Sequence, residues 1–216
     1  MTVPPILPAE SGTRVKICGV TSPDDARRCV EAGASAIGVN LVPSSPRRVD
    51  ASTARAIAEA VGELAVVVAV VRDLSVRDML ELRERIACGC LQLHGDEPPG
   101  SLTPLLPHAY KAIAVETLED VGTADLYGGE YILVDTKTTG GSGGSGRVFD
   151  WRLVKDLARA RKVVLAGGLT PENVAEAIGV VRPHTVDVAS GVERRGRPGI
   201  KDMGRVRAFV AAARGA

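Results

Sequence analysis

A carboxylate stands between a strand-like apolar run and a glycine-rich segment. Residues 132–134 (Ile-Leu-Val) lead directly to Asp135, and residues 140–146 are glycine or serine throughout. Such an apolar run can be buried on both faces, as parallel strands are, and a glycine backbone can turn its N–H groups towards an anion. The pattern predicts a proton-transferring group beside a phosphate-sized site that includes Gly144. A flexible surface linker is the alternative that composition leaves open.

Two pairs of small residues follow later apolar runs. Gly167 and Gly168 end one run, and Ser190 and Gly191 end the next. Paired glycines often do no more than form a tight turn. Three such segments at successive strand ends nevertheless indicate a phosphate site, because their backbone dipoles favour an anion.

Strands are needed to position these residues, and the chain alternates strand and helix patterns throughout. The predicted strands cover residues 15–18, 36–41, 65–71, 90–94, 111–115, 132–134, 163–166 and 185–189. Eight strands without a dinucleotide fingerprint after the first favour an α/β fold with a single (β/α)8 TIM barrel over an open doubly wound sheet. In such barrels the chemistry lies at the carboxyl ends of the strands, and phosphate is often held after strands seven and eight.

Capping residues predict where several helices begin. Thr170 is expected to begin one of them. Ser75 is expected to cap another, whose inward residues would be Val76, Met79, Leu80 and Ile86. Prolines between residues 96 and 108 restrict any helix there to a short one.

Composition sets the domain organisation. With 216 residues, of which 45% are hydrophobic and 25% charged, the chain can bury one full core. Residues 1–13 carry prolines and no positive charge, so we expect a disordered leader rather than a signal peptide, and a barrel domain over residues 14–216. No segment approaches the roughly 20 apolar residues of a membrane span, so no membrane partner is expected.

Charge and cysteine content argue against other classes of protein. The 27 basic and 26 acidic residues leave a net charge of +1, without a basic block interleaved with aromatics, so nucleic acid is not an expected partner. Four cysteines stand at irregular spacings, and Cys88 and Cys90 are too close for the usual zinc knuckle. They suit a reducing compartment without disulfides or a structural metal, and we expect a cytoplasmic protein.

Six segments together resemble one family. They are residues 16–21 (KICGVT), 42–47 (VPSSPR), 91–97 (LQLHGDE), 135–151, 165–174 (LAGGLTPENV) and 187–193 (DVASGVE). In this order they resemble the phosphoribosylanthranilate isomerases of tryptophan biosynthesis. The resemblance implies an enzyme without metal or cofactor, monomeric or homodimeric, that acts on a small-molecule phosphosugar. Its reaction would be the Amadori rearrangement of N-(5-phosphoribosyl)anthranilate to 1-(2-carboxyphenylamino)-1-deoxyribulose 5-phosphate.

That reaction needs an acid and a base, and two residues at strand ends have suitable types. Asp135 would protonate the furanose ring oxygen, and Cys18 would take the C2 proton of the Schiff base. The carboxyl pKa would then have to rise and the thiol be drawn towards thiolate, so we expect a partly dry site with cations near the sulfur. As alternatives, Cys18 would be a small buried hydrophobe, and Asp135 a cap or an ion-pair partner of Lys137.

Two further residues are candidates for contact with the anthranilate part of the substrate. Arg47 matches the family arginine that faces the anthranilate carboxylate, for which a guanidinium is well shaped, whereas Arg48 is expected to be solvated. His94 shares strand parity with Gln92, so both side chains should face the barrel interior. His94 would either line the aromatic pocket or be hydrogen-bonded behind the substrate-contacting residues.

The chain departs from the family at positions that are usually aromatic. These positions carry Val39, Leu41, Val70 and Arg48. In addition, Asn40 and Arg72 place polar groups near strand ends. We therefore expect a pocket of altered shape and altered turnover.

Three other functions are compatible with a phosphosugar barrel. A histidine-pathway isomerase or a ribulose-phosphate epimerase would need paired aspartates or metal-binding histidines at strand ends, and neither set is visible. A relaxed isomerase that also accepts the histidine-pathway substrate would need a larger anion site, which Arg72 could supply. A non-catalytic phosphosugar-binding barrel would not require Cys18 and Asp135.

Strand parity predicts a buried ion pair below the site. Lys16 lies two residues before Cys18, and Asp187 two residues before Ala189, so both should point into the barrel. Strands one and eight become neighbours when the barrel closes. Because a lone buried ammonium costs several kcal/mol, Lys16 should pair with Asp187 and favour the thiolate of Cys18.

Overall fold

A computed structural model describes residues 12–137 and 148–216. Within these residues, eight parallel strands hydrogen-bond in chain order and close into a barrel, which confirms the predicted (β/α)8 architecture. The strands are β1 (Arg14–Ile17), β2 (Ala36–Asn40), β3 (Val66–Val71), β4 (Cys90–Leu93), β5 (Ala109–Val115), β6 (Tyr131–Thr136), β7 (Lys162–Leu165) and β8 (Thr185–Val188). Gly144 and most of the predicted leader lie outside the described residues.

Helices surround the barrel. They are α1 (Pro23–Glu31), α2 (Ala51–Val61), α3 (Val76–Ile86), α4 (Pro99–Leu102), α5 (Leu118–Gly122), α6 (Lys155–Ala160), α7 (Val174–Val181) and α8 (Met203–Arg214). Short 3₁₀ turns cover Thr103–Leu105, Thr123–Leu126, Trp151–Val154 and Ser190–Val192. As predicted, the proline-rich segment between β4 and β5 forms one helical turn and one 3₁₀ turn.

The core consists of two layers that the strands separate. The larger layer lies between the strands and the helices and is almost wholly aliphatic. The smaller layer fills the barrel interior and contains Ala36, Val66, Val68, Cys90, Tyr110, Ala112, Tyr131, Leu133, Val164 and Ala166. Because both faces of each strand are covered, strands such as β3 are apolar without alternation and buried at every position.

Local sequence accounts for most helix starts. One predicted buried residue and one predicted helix start are wrong. The Ser75 hydroxyl accepts a hydrogen bond from Asp78 N and caps α3, as predicted. Leu80 of α3 is 39% exposed, so its predicted burial is wrong; Leu82 is turned inwards instead. Thr170 does not begin α7, because its backbone N–H donates to the Asn173 side chain in a turn that precedes the helix.

The four cysteines are free thiols. Cys29, Cys88 and Cys90 are buried, whereas Cys18 is partly accessible. In the described part of the chain, none of the helices combines the length and the apolar character needed to cross a bilayer.

A histidine is held neutral at the amino-terminal end of the barrel. Arg14 Nη1 lies 2.8 Å from His184 Nε2, and His184 Nδ1 lies 2.9 Å from Thr185 Oγ1. Burial, assisted by the charge of Arg14, lowers the pKa of His184 to about 4. Since a guanidinium only donates, Nε2 must accept, and the proton of the neutral ring lies on Nδ1.

One arginine joins the start of β6 to the preceding turn. The Arg161 guanidinium donates to the backbone carbonyls of Ala124, Tyr127, Gly128, Gly129 and Tyr131. Three of these carbonyls, those of Tyr127, Gly128 and Gly129, lie in the irregular segment that joins the 3₁₀ turn Thr123–Leu126 to β6. Arg161 therefore supplies donors that the backbone cannot.

Arg161→Ala should lower the free energy of unfolding by about 2–3 kcal/mol, because several half-buried carbonyls lose a charged donor. The measurement is urea unfolding followed by circular dichroism. Arg152→Ala is the matched control, because Arg152 pairs with Asp150 at a side-chain exposure of 81% and its loss should change stability by no more than about 0.5 kcal/mol. Equal losses in the two variants would contradict the assigned role.

Candidate active site

A cavity of about 600 Å³ opens at the carboxyl ends of the strands. The predicted site residues in its wall are Cys18, Arg47, His94, Asp135, Gly167, Gly168 and Ser190. Gly191 is not in the wall. It packs against the Leu169 carbonyl, where an added Cβ would lie 2.0 Å from the oxygen. Gly191 thus brings the turns after β7 and β8 together from behind the cavity.

Cys18 is the first residue after β1. Its backbone N–H donates to Val188 O at 2.8 Å, which continues the ladder with β8. Its carbonyl accepts a hydrogen bond of 2.6 Å from the Lys201 ammonium. Gly38 on β2 provides the space for the thiol, because a Cβ there would lie 2.7 Å from the Cys18 sulfur. The backbone around Cys18 is therefore held from two sides, while its side chain faces the cavity.

Lys16 and Asp187 form the predicted ion pair. The barrel register places them side by side on β1 and β8, and Lys16 Nζ lies 2.7 Å from Asp187 Oδ2. Lys16 is fully buried and also donates to Gln92 Oε1 at 2.9 Å. Burial by itself disfavours the ammonium. The charge and hydrogen bond of Asp187, together with the nearby Cys18 and Tyr110, outweigh this effect, and the Lys16 pKa lies well above its usual range.

The Cys18 thiol is not drawn to thiolate in the free protein, which corrects the prediction. Burial raises the Cys18 pKa, while the charges of Lys16 and Lys201 oppose this effect only in part. The predicted cations are thus present near the sulfur. Their effect is smaller than that of desolvation together with the charge of Asp187, which also raises the Cys18 pKa.

Asp135 lies near the end of β6, and its position depends on Gly167. Asp135 Oδ1 accepts a hydrogen bond of 2.7 Å from Thr136 N. Gly167 adopts φ +88°, and a Cβ there would lie 2.3 Å from Thr136 Oγ1 and 3.0 Å from Asp135 Oδ1. Glycine is therefore required both by the backbone angle and by the space that Asp135 occupies. Lys137 pairs with Asp120, so the alternative of a Lys137–Asp135 pair is not realised.

The electrostatic surroundings of Asp135 favour its protonated form. Burial, with the nearby charge of Asp187, raises the pKa of Asp135 to about 6. This agrees with the predicted direction. A carboxyl group with this pKa can both hold and release a proton near neutral pH.

Two buried oxygen atoms near Asp135 have no hydrogen-bond partner among the described residues: Asp187 Oδ1 and Thr136 Oγ1. Asp187 is 7% exposed, and its other oxygen is occupied by Lys16. Both residues line the cavity. Because unpaired buried acceptors are costly, these atoms are natural sites for donors on a bound molecule.

Arg47 is held by an acid that the sequence did not single out. Its Nε and Nη2 donate to the two oxygens of Glu193 at 2.8 and 2.9 Å, and Glu193 is in turn 3.1 Å from Lys201 Nζ. Because Glu193 already occupies Nε and Nη2 of Arg47, a second carboxylate cannot make a bidentate contact with the same two nitrogens. Gly19 makes room for this arginine, because a Cβ there would lie 2.4 Å from Arg47 Cδ. Arg48 is exposed, as predicted.

His94 lines the cavity and is hydrogen-bonded from behind, so features of both predicted roles are present. Its Nδ1 lies 2.8 Å from Gln92 Nε2, and its Nε2 lies 3.7 Å from Asp135 Oδ2. Burial, with the charges of Lys16, Lys111 and Arg72, lowers the pKa of His94 to about 4. His94 is therefore a neutral imidazole at physiological pH.

A second buried lysine fixes the loop that follows β4. Lys111 Nζ lies 2.9 Å from Glu97 Oε2 and also donates to the Gly95 carbonyl. Glu97 accepts from the backbone N–H groups of Asp73 and Gly95. Of the residues missed by sequence reasoning, Glu97 and Glu193 carried a visible signal, because each ends one of the segments that resemble the family.

No group of three or more His, Cys, Asp or Glu side chains in residues 12–137 and 148–216 is arranged to hold a metal ion. The barrel, the cavity at its strand ends and the raised carboxyl pKa define a (β/α)8 barrel with titratable groups at its mouth, the arrangement typical of barrel enzymes.

Comparisons with known proteins identify the family. Residues 15–212 match the model of N-(5'-phosphoribosyl)anthranilate (PRA) isomerase, so the chain belongs to this family of isomerases. A Myxococcus xanthus protein named N-(5'-phosphoribosyl)anthranilate isomerase is 44% identical over 206 residues, which are 93% of this chain and 96% of the relative.

Solved structures give the same assignment. The phosphoribosyl anthranilate isomerase of Thermotoga maritima aligns with a TM-score of 0.86 and 38% identity, covering 94% of this chain and all of that one. A second isomerase structure, in complex with reduced 1-(o-carboxyphenylamino)-1-deoxyribulose 5-phosphate, aligns with a TM-score of 0.82 and 35% identity over 94% of this chain and 100% of its own.

Lys16→Met should raise the Cys18 pKa, because the variant removes a cation near the sulfur and leaves Asp187 unpaired. It should also lower the free energy of unfolding by about 3–5 kcal/mol, as expected for one partner of a buried pair. The pH dependence of iodoacetamide labelling measures the first effect, with Cys18→Ala as the background. Lys162→Met, at an exposed pair, should leave the Cys18 pKa unchanged. An unchanged pKa in Lys16→Met would show that the ion pair does not act on the thiol.

Proposed function

We propose that this protein converts N-(5-phosphoribosyl)anthranilate to 1-(2-carboxyphenylamino)-1-deoxyribulose 5-phosphate in tryptophan biosynthesis, with residues 14–216 as its barrel domain. Family membership supports the activity. The observation that carries the mechanism is that Cys18, after β1, and Asp135, on β6, line one cavity at the barrel mouth.

The proposed chemistry consists of two proton transfers. The protonated Asp135 gives its proton to the furanose ring oxygen, the bond between C1 and that oxygen breaks, and the anthranilate nitrogen supplies the electron pair of the resulting Schiff base. Cys18 thiolate then takes the C2 proton, and the electrons of the C–H bond form the enolamine. Tautomerisation of the enolamine gives the C2 ketone. The overall change is an internal shift of hydrogen, so atoms and electrons balance within the substrate.

The protonation states support this scheme with one constraint. Asp135 has a pKa of about 6 and the Cys18 pKa is raised, so between these values the pair holds one proton, mostly on sulfur. The reactive arrangement, with the proton on Asp135 and a thiolate at Cys18, is the minor form of that single-proton state. Activity should therefore rise with pH through the Asp135 pKa and fall through the Cys18 pKa.

The remaining wall residues are suited to hold the substrate. We assign the phosphate to the turns at Gly167, Gly168 and Ser190, where positive φ angles at both glycines orient the backbone and Gly191 packs the two turns together. Gly144 stays a prediction. The unpaired Asp187 Oδ1 is assigned to a ribose hydroxyl, which would satisfy it.

Arg47 and His94 are assigned to the anthranilate end. Glu193 holds Arg47 Nε and Nη2, so a substrate carboxylate would be met by Nη1 rather than by the full fork. Arg72 also lines the cavity, with a side chain that is 42% exposed. Arg72 could therefore supply the larger anion site of a relaxed isomerase, and an assay with the histidine-pathway substrate tests this alternative.

Cys18→Ser and Asp135→Asn should each lower kcat by at least about 10²-fold, as is typical for the loss of a general base or acid. The measurement is the fluorescence decay of freshly generated phosphoribosylanthranilate, with far-UV circular dichroism to confirm folding. Cys29→Ser is the matched control for thiol removal, because Cys29 is buried on α1. Near-normal turnover in either active-site variant would remove that residue from its role, and an inactive wild-type protein would favour a non-catalytic binding barrel.

Arg47→Ala should raise KM for the anthranilate-bearing substrate about tenfold with a smaller change in kcat, because a binding contact is lost. Arg48→Ala, next in the chain but exposed, should leave KM unchanged. Glu193→Gln provides a second readout. This variant removes the negative charge that holds Arg47 but keeps a side chain of the same size at position 193, so it should alter KM in the same assay. Equal KM values for Arg47→Ala and Arg48→Ala would show that Arg47 does not bind the substrate.

A further inference from the structure

A chain of polar side chains crosses the barrel interior from β8 to β6. Asp187, Lys16 and Gln92 are joined by hydrogen bonds of 2.7 and 2.9 Å. Gln92 then contacts His94, which faces Asp135. The chain therefore connects the buried ion pair to the proposed general acid. Its members differ in which of them can donate and which can accept, and this difference determines where each proton lies.

The orientation of the Gln92 amide is fixed by its donors. One end of the amide lies 2.9 Å from Lys16 Nζ and 3.0 Å from the Tyr110 hydroxyl. An ammonium has no acceptor, so the amide atom in contact with it must be the oxygen. All three residues are buried. The amide NH₂ must therefore point the other way, towards His94.

The amide in turn fixes the tautomer of His94. Gln92 Nε2 lies 2.8 Å from His94 Nδ1 and can only donate, so Nδ1 must be the unprotonated acceptor. The proton of the neutral ring then lies on Nε2. This is opposite to His184 at the other end of the barrel, where Arg14 donates to Nε2 and the proton lies on Nδ1.

Nε2 of His94 faces the carboxyl oxygen that is not used by the backbone. Asp135 Oδ1 accepts from Thr136 N, whereas Oδ2 lies 3.7 Å from His94 Nε2. This separation exceeds a hydrogen bond, so the two groups must move closer before one forms. A neutral N–H at this place interacts weakly with a protonated carboxyl group and strongly with a carboxylate.

We propose that Gln92 is a positioning residue: it holds His94 as the neutral Nε2–H tautomer, so that a hydrogen-bond donor always faces Asp135 Oδ2 when Asp135 becomes a carboxylate. This inference rests on the proposed function, in which Asp135 gives up its proton as the ring opens. The donor stabilises the anion that this step leaves behind, without delivering a proton itself. Lys16 acts on both proposed proton-transfer groups: it orients the Gln92 amide, and its charge lowers the Cys18 pKa.

The tautomer can be measured without activity. The chain contains three histidines, so a long-range ¹H–¹⁵N spectrum of the whole protein at neutral pH resolves each ring. We expect a protonated, pyrrole-type Nε2 and an unprotonated Nδ1 for His94. His184 is the internal reference, with the opposite pattern. A protonated Nδ1 or an imidazolium at His94 in the wild-type protein would overturn the proposal.

Two variants separate the amide from the general packing. Gln92→Met has a similar length but no donor, so the His94 nitrogens should shift towards the averaged values of a tautomer mixture. Tyr110→Phe removes one donor to Gln92 Oε1 and leaves Lys16, so the His94 tautomer should persist. Unchanged His94 shifts in Gln92→Met would contradict the proposal, and unchanged His184 shifts would show that the fold is intact.

Kinetics provide the functional readout. Gln92→Met should lower kcat about tenfold with little change in KM, as expected when a contact to a charged group in the reaction is lost. The ascending limb of the pH profile should move to higher pH, because the Asp135 carboxylate is less stabilised while Lys16, Lys111, Arg72, Glu97 and Asp187 keep their charges. An ascending limb at the same pH in Gln92→Met and in the wild-type protein would overturn the inference. Failure of the proposed function would appear differently, as an absence of wild-type turnover with the expected tautomer.

Discussion

The organisation of the barrel mouth depends on one buried positive charge. Lys16 is fully enclosed, and an ammonium without partners there would cost several kcal/mol. Asp187 neutralises it and Gln92 accepts from it, so both partners are held in one orientation. Because Lys16 binds one oxygen of Asp187, the other has no hydrogen-bond partner among the described residues and lies beside the cavity. The same charge fixes the amide of Gln92 and, through it, the ring of His94.

Two other buried lysines position the loops in the same way. Lys201 donates to carbonyls at the ends of β1 and β8 and pairs with Glu193, while Lys111 pairs with Glu97 in the loop after β4. Ion pairs thus replace the regular hydrogen bonds that the strand ends lack. Asp135 and Cys18 are enclosed at the same strand ends, and burial raises the pKa of Asp135 to about 6 and raises the Cys18 pKa. Structural and chemical roles therefore have one physical origin, the burial of charge at the strand ends.

Local sequence determined the barrel architecture and which side chains face its interior and its mouth. The alternation of apolar strands and capped helices predicted the barrel, because a buried parallel strand and an amphipathic helix each have a characteristic period. Positions immediately at strand ends predicted that Cys18 and Asp135 would face one cavity. Parity and barrel closure predicted the Lys16–Asp187 pair across 171 residues of sequence. In these cases the strand period fixes which way each side chain points, and the closure of a regular barrel fixes which strands are neighbours.

Only the tertiary structure decided how those groups behave. The pairing of Arg47 with Glu193 joins residues 146 positions apart in irregular loops, for which parity gives no register. The exposure of Leu80 depends on how α3 packs against the barrel, so periodicity placed it wrongly. The helix start predicted at Thr170 was wrong for a local reason, the hydrogen bond from Thr170 N to the Asn173 side chain. The protonation state of Cys18 depends on the balance between desolvation and the charges of Lys16, Asp187 and Lys201. Sequence supplies the charges, but their distances and burial, which set the balance, exist only once the barrel has closed.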